Sequence, residues 1–250
     1  MKFSIVTATY NSEKTIRDTI ESVLIQSLDD YEYLIIDGGS KDATITIVEE
    51  YVPKFGGKMR YISEPDKGIY DAMNKGFKIA KGDILALINS DDFFYDSFAL
   101  EKVADCFNLH KEVDAVYADL CYVSQYDKDK VVRKWVTGEQ RPFKRGWLPA
   151  HPTFYVKRSA YEKYGYFNLD YQLAADFELM LRFVEKYHIR LAYLEEPLVR
   201  MRLGGATSKS IHNVIKQNKE CMRAFRENGL PVSPLYPLFR FLPKIKQYLR

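Results

Sequence analysis

Gly82-Asp83-Ile84-Leu85-Ala86-Leu87-Ile88-Asn89-Ser90-Asp91-Asp92 is the stretch on which the reading of the fold turns. Its apolar middle reads as a buried strand, and acidic side chains crowd its exit. In open α/β sheets, ligands bind in the crevice beyond the carboxyl ends of the strands. Oxygen-rich exits of this kind suit hard divalent cations, which join one or two carboxylates to the phosphates of a substrate. A solvated loop, or a cap for a helix near Phe98–Leu109, accounts for Asp91 and Asp92 taken alone.

Working outward, strands and helices alternate. Phe3–Thr7 reads as a strand, followed by a helix with Ile16, Ile20, Val23 and Leu24 on one face and Asn11 as its cap. Tyr33–Ile36 and Met59–Ile62 read as further strands. Helices follow them through Ile47, Val48 and Tyr51, and over Ile69–Ala80. Asp83–Ile88 is the fourth strand, and Ser97–His110 the next helix. This alternation predicts one doubly wound, mostly parallel α/β sheet. Ala115–Val123 and Val131–Val136 are expected to pair antiparallel.

Three loops after strands converge on the edge that carries Asp91. Thr7-Ala8-Thr9-Tyr10-Asn11 offers hydroxyls, an aromatic face and backbone N–H groups suited to a base and ribose, without the G-x-G-x-x-G of a dinucleotide fold. Asp37-Gly38-Gly39-Ser40 puts a carboxylate beside two glycines that permit close backbone approach. In Asp66-Lys67-Gly68-Ile69-Tyr70-Asp71-Ala72-Met73-Asn74-Lys75, Lys67 can meet phosphate, and Asp71 shares a helix face with Asn74 and Lys75. Each loop taken alone is also accounted for by an ordinary turn or solvated face.

Charge is nearly balanced, with 37 basic and 34 acidic residues, which argues against a general nucleic-acid binder. Three cysteines without a C-x-x-C pair point to a reducing, cytoplasmic setting. No signal-peptide core or membrane-length apolar run is legible. The segment from Leu235 to Arg250 interleaves aromatic, apolar and basic residues. It suits either packing on the domain or peripheral contact with an anionic membrane surface.

With these motifs in place, the sequence resembles the inverting glycosyltransferases of family 2, which have the GT-A fold. The wording Ile35-Ile36-Asp37-Gly38-Gly39-Ser40, Ser63–Gly76 and Asn89–Asp92 is similar to the branch that builds bacterial O-antigen and related surface polysaccharides. The resemblance runs to about Ser208. It implies a GT-A domain over residues 1–210, with a nucleotide-sugar half (1–95) and an acceptor half (96–210), and a helical, basic tail over 211–250. It further implies a UDP-sugar donor held by Thr7, Thr9, Tyr10, Asn11, Asp37, Ser40, Asp66, Lys67, Gly68, Asn74, Asn89 and Ser90. Arg202 would meet the diphosphate from a lid over Arg202–Ser208.

The family's D-x-D motif falls on Asn89-Ser90-Asp91, an amide standing where the first Asp is usual. Asp91 is expected to hold Mn²⁺ or Mg²⁺, with His151 nearby as a further ligand. Asp176, in Ala174-Ala175-Asp176-Phe177-Glu178, is expected to be the general base, with Asp170 or Glu178 as substitutes. The implied acceptor is a lipid-pyrophosphate-linked or free saccharide, met in the cytoplasm or at the inner face of the membrane. Two alternatives stay open: a catalytically silent nucleotide-sugar-binding partner subunit, and a nucleotidyltransferase, which would carry a Gly-rich basic loop where Thr7–Asn11 stands.

Overall fold

A computed structural model describes residues 1–204 and 210–240. Strands β1 (Phe3–Thr9), β2 (Tyr31–Asp37), β3 (Met59–Ser63) and β4 (Ile84–Leu87) pair in parallel in the order β3-β2-β1-β4. Every residue of β1, β2 and β4 is buried. These strands are covered on both faces, so they read as near-continuous apolar runs. Alternation then sorts the side chains. Val6, Ala8, Leu34 and Ile36 enter one core, while Phe3, Ile5, Tyr33 and Ile35 enter the other.

Helices α1 (Ile16–Leu24), α2 (Thr44–Tyr51) and α4 (Ala99–Leu109) cover the second face. Helix α3 (Ile69–Ile79) covers the first through Ala72, Met73 and Phe77. Gly76 lies where α3 crosses β1, and a Cβ there would stand 2.4 Å from Val6 Cγ1 and 3.1 Å from Ile36 Cγ1. Both neighbours are locked in the sheet. Gly76→Ala is therefore expected to cost ~1–3 kcal/mol by overpacking, a fall of ~2–12 °C in a thermal melt of a chain this size. An unchanged melting temperature would show that α3 can lift off β1 freely.

The sheet continues through β8 (Phe154–Lys157), β6 (Ala115–Val123), β9 (Leu191–Arg202) and β5 (Phe93–Phe94), with β7 (Val131–Trp135) beside β6. Here β8 is antiparallel to β4 and β6, β7 is antiparallel to β6, and β5 is antiparallel to β9. The expected antiparallel pair of β6 and β7 is present. In addition, β6 pairs in parallel with β9 through irregular register at Ala118–Leu120. The remaining helices are α5 (Arg158–Tyr164), α6 (Ala175–Leu181), which continues into a π-helical turn, and α7 (Ile211–Glu227).

One sequence expectation changes. Asn11 does not cap α1, which begins five residues later behind Thr15. Asn11 instead takes a left-handed conformation (φ 49°), and its side-chain oxygen accepts from Lys41 N at 2.8 Å. The helical segment expected after residue 210 is present as α7, and its described part packs on the domain. Cys221, Ala224, Phe225 and Tyr236 are buried in the same core as α3 and α6, and Tyr236 packs on Phe225 and Phe177. The part of the basic stretch beyond Arg240 lies outside the described residues. No helix among the described residues is long and apolar enough to cross a membrane.

Candidate active site

The carboxyl ends of β1, β2 and β4 are stitched into one rim by side chains of the loops that leave them. Ser40 Oγ accepts from Asn11 N at 2.8 Å, and Ser12 Oγ meets Ser90 Oγ at 2.9 Å. Asp37 is fully buried, and its carboxylate closes its own turn. It accepts from Gly39 N (3.0 Å), Ser40 N (2.9 Å), Ser40 Oγ (2.5 Å) and Ser63 Oγ (2.6 Å). Asp66 lies against that turn, so close that a Cβ on Gly38 would meet Asp66 Oδ2 at 2.5 Å. Asp66 Oδ1 also accepts from Gly68 N at 2.7 Å, which shapes the start of α3. Lys67 is exposed beside it.

Thr7 is turned inward, its hydroxyl 3.0 Å from that of Tyr33, whereas the buried hydroxyl of Thr9 has no partner among the described residues. Tyr10 is 60% exposed on the rim, an unsatisfied ring that suits stacking on a base. Asn74 departs from the sequence reading. Its amide donates to Phe167 O at 2.8 Å and accepts from Phe167 N at 2.9 Å. This pair ties α3 to the segment between α5 and α6 instead of reaching the rim. The signal was a polar residue inside the apolar face of a helix, between the buried Ala72, Met73 and Phe77.

The Asn89–Asp92 turn has a hub that sequence reading passed over. Asp92 is buried, and burial together with neighbouring Asp91 pushes its carboxyl well above the usual carboxylate range. Asn89 Nδ2 donates to Asp92 Oδ2 at 2.9 Å, and Arg202 N donates to Oδ1 at 3.1 Å. An aspartate at position 89 would face Asp92 with a second negative charge, so the amide relieves that repulsion. Asp91 is only half-buried. Arg202 donates to Asp91 O at 2.9 Å and pairs with Asp18 of α1, which also holds Lys128 at 2.7 Å. Its guanidinium thus clamps the turn. Of the expected lid that follows, Gly205–Ser208 lie outside the described residues.

Antiparallel pairing of β8 with β4 brings the turn His151–Thr153 against β4, toward the end that carries Asn89–Asp91. His151 Nε2 is buried without a hydrogen-bond partner among the described residues. Burial holds this imidazole below its usual range, while Asp176 pulls the other way. Asp176, in the first turn of α6, accepts from Tyr70 Oη of α3 at 3.3 Å. Burial and the Asp176 charge raise the Tyr70 phenol, so it stays a donor. Tyr70 was quoted in a motif but not picked out as a site residue. Glu178, by contrast, is buried and ion-paired to Arg182 at 2.9 Å, which removes it as a substitute base. Arg182 in turn holds the carbonyls of Tyr164 and Tyr166.

Among the described residues, no three His, Cys, Asp or Glu side chains gather to hold a metal by protein ligands alone. The donor set still fits a cation that draws most of its ligands from phosphate and water. Asp91 offers a half-buried carboxylate, and neutral His151 a nitrogen unpartnered among the described residues.

The family profile described as Glycosyl transferase family 2 matches residues 4–166, which include the rim, the Asn89–Asp92 turn and His151. The chain belongs to glycosyl transferase family 2. As a family 2 glycosyltransferase, it is similar to the PGL/p-HBAD biosynthesis glycosyltransferase of Mycobacterium bovis, being 29% identical over 187 residues. That match covers 72% of this chain and 68% of the relative. Its fold is the GT-A fold of S. aureus TarS 1-349 in complex with UDP-GlcNAc (TM-score 0.68, 18% identity, 100% of this chain and 79% of that one). The chain spans only 54% of a longer TarS chain. A mannosyltransferase, PcManGT of Pyrobaculum calidifontis, in complex with GDP-Man and Mn²⁺, superposes with a TM-score of 0.67 at 17% identity over 99% of this chain and 69% of its own.

Proposed function

We propose that this glycosyltransferase moves a sugar, with inversion, from a UDP-sugar to a hydroxyl of a saccharide or lipid-linked saccharide in bacterial surface-glycan synthesis. The observation that supports this reading is the hydrogen bond by which Tyr70, at the start of α3, orients the carboxylate of Asp176. An inverting transfer needs a base on the acceptor side of the anomeric carbon and the nucleotide on the other. Asp176 takes the hydroxyl proton as the acceptor oxygen bonds to that carbon, and the bond to the diphosphate oxygen breaks with its electrons leaving on UDP. Tyr70 holds the Asp176 oxygen in place, so part of the positioning cost is met before the acceptor binds.

On the donor side, Tyr10 would stack on the base, the Asp37–Ser40 turn and Asp66 would border the ribose, and Lys67 would meet phosphate. Asp91 and His151 would hold the divalent cation, whose charge stabilises the departing diphosphate. UDP is favoured as the nucleotide because TarS, with the same fold, binds UDP-GlcNAc. Mn²⁺ is supported by its presence with GDP-Man in PcManGT.

A thermal-shift panel of UDP, GDP and their sugars, with and without Mn²⁺, tests the donor. A UDP ligand at 100 times its dissociation constant should stabilise by ~2.7 kcal/mol, a rise of ~5–11 °C, and the shift should shrink without Mn²⁺. A larger shift with GDP-sugars would overturn the UDP assignment. Asn89 keeps one other reading alive, a silent nucleotide-sugar-binding subunit. Such a protein would show the same thermal shift and release no UDP with any acceptor.

A further inference from the structure

Helix α7 lies beyond the family-matched span, yet one of its side chains holds the loop that delivers Asp176. Glu220 is 8% exposed. Its Oε2 accepts from Leu173 N at 2.8 Å and Ala174 N at 2.9 Å, and its Oε1 from Gln172 N at 3.2 Å. Ala174 is the residue immediately before α6, and Asp176 is the second residue of that helix. Two neighbours on α7 grip the same loop. Gln217 Nε2 donates to Leu173 O at 3.3 Å, and Lys216 Nζ bonds Gln172 Oε1.

A buried carboxylate is costly unless hydrogen bonds satisfy it, and bonds from N–H groups to an ionised oxygen are roughly twice as strong as neutral ones. Three such bonds on consecutive residues remove the freedom of the loop backbone. They leave Asp176 one place to stand, across from Tyr70. The Glu220 charge also reaches Tyr70, adding to the forces that keep that phenol protonated. Glu220 therefore addresses both members of the Tyr70–Asp176 pair, from an element that a sequence reading sets aside as a tail.

We infer that Glu220 is a positioning residue for transfer: by fixing residues 172–174 it sets where Asp176 meets the acceptor hydroxyl. The inference rests on the reading of Asp176 as the base. A brace that only stabilised the fold would change the melting temperature and leave turnover of the folded enzyme alone.

The test is Glu220→Gln in the full chain. The amide keeps the shape but turns an NH₂ toward backbone donors, so at least one of the three bonds is lost. Turnover is read at 10 °C as UDP release from the UDP-hexose that gives the largest thermal shift, with a synthetic octyl hexoside as acceptor. Donor affinity is read by titration. We expect kcat to fall between ~10- and ~10²-fold, the scale of a misplaced catalytic group, with donor affinity within about twofold of wild type. A lower melting temperature with wild-type kcat at 10 °C would overturn the inference.

Gln217→Ala is the milder variant should Glu220→Gln not fold. It removes one bond to Leu173 O, and we expect kcat to fall about threefold at unchanged donor affinity. Wild-type kcat in that variant would likewise overturn the inference. The two readings fail separately. Full activity in Asp176→Asn removes the base itself, whereas an inactive Asp176→Asn beside a fully active Glu220→Gln removes only the role of Glu220.

Discussion

Replacing Asp91 with Ala is expected to reduce sugar transfer by at least ~10²-fold and to abolish the Mn²⁺-dependent part of UDP binding. A cation that neutralises a departing diphosphate is worth several kcal/mol, and each 1.36 kcal/mol is tenfold in rate. The neighbouring Asp92 cannot take over. It is 1% exposed, and its two oxygens are already engaged by Asn89 and by the backbone of Arg202. The fold should survive, because Asp91 is only half-buried and the turn is held by Asp92, Arg202 and Asp18. Isothermal titration with UDP, with and without Mn²⁺, alongside a transfer assay, checks both parts. Full activity in EDTA would sink the metal assignment, and so would a fully active Asp91→Ala.

The second large effect belongs to Asp176→Asn. The amide preserves shape and can still accept from Tyr70, but it cannot take a proton. Turnover should therefore fall by ~10²–10⁴-fold, the range of general-base contributions, while UDP-sugar affinity and the melting temperature stay near wild type. Single-turnover rates beside donor titrations separate the two quantities. If turnover is normal, the base lies elsewhere, and of the two substitutes only Asp170 remains, since Glu178 is committed to Arg182 and Asn228. Tyr70→Phe is a companion measurement. It removes one hydrogen bond to Asp176 and should lower the rate by far less than Asp176→Asn.

The first four strands and their helices were legible because their physics is local. Strands covered on both faces must be apolar throughout, as in Phe3–Thr9 and Ile84–Leu87. Helices packed on one side must repeat at three and four residues, as in α1 and α3. The turns at Asp37-Gly38-Gly39-Ser40 and Asn89–Asp92 follow such strands directly, so their convergence on one rim came from topology alone. Even there, boundaries slipped. The second strand begins at Tyr31, two residues before the expected start, because Glu32 reads as polar. In the fold its carboxylate is buried and satisfied by Ser4 Oγ at 2.6 Å and by Arg60 at 2.9 Å.

The second half of the chain resisted reading for the opposite reason. Strand β9 carries Glu195, Glu196, Arg200 and Arg202, and β5 has only two residues, so neither shows a strand period. Their places come from pairing with β6 and with each other across about a hundred residues. The same holds for single side chains. Asn74 joined Phe167, Tyr70 joined Asp176, Arg202 joined Asp92, and Glu220 joined Ala174, each pair far apart in sequence.

Residue order along the chain was enough for the family, the parallel sheet and the convergence of the strand-end loops on one rim, because these rest on short patterns with a local cause. Which polar groups face the crevice and which hold the frame was settled only by tertiary packing. A buried carboxylate or amide must find a partner, and the partner is whatever the closed fold brings within about 3 Å. Hence Asn74, Asp92, Arg202 and Glu220 took roles that no window of sequence around them contains.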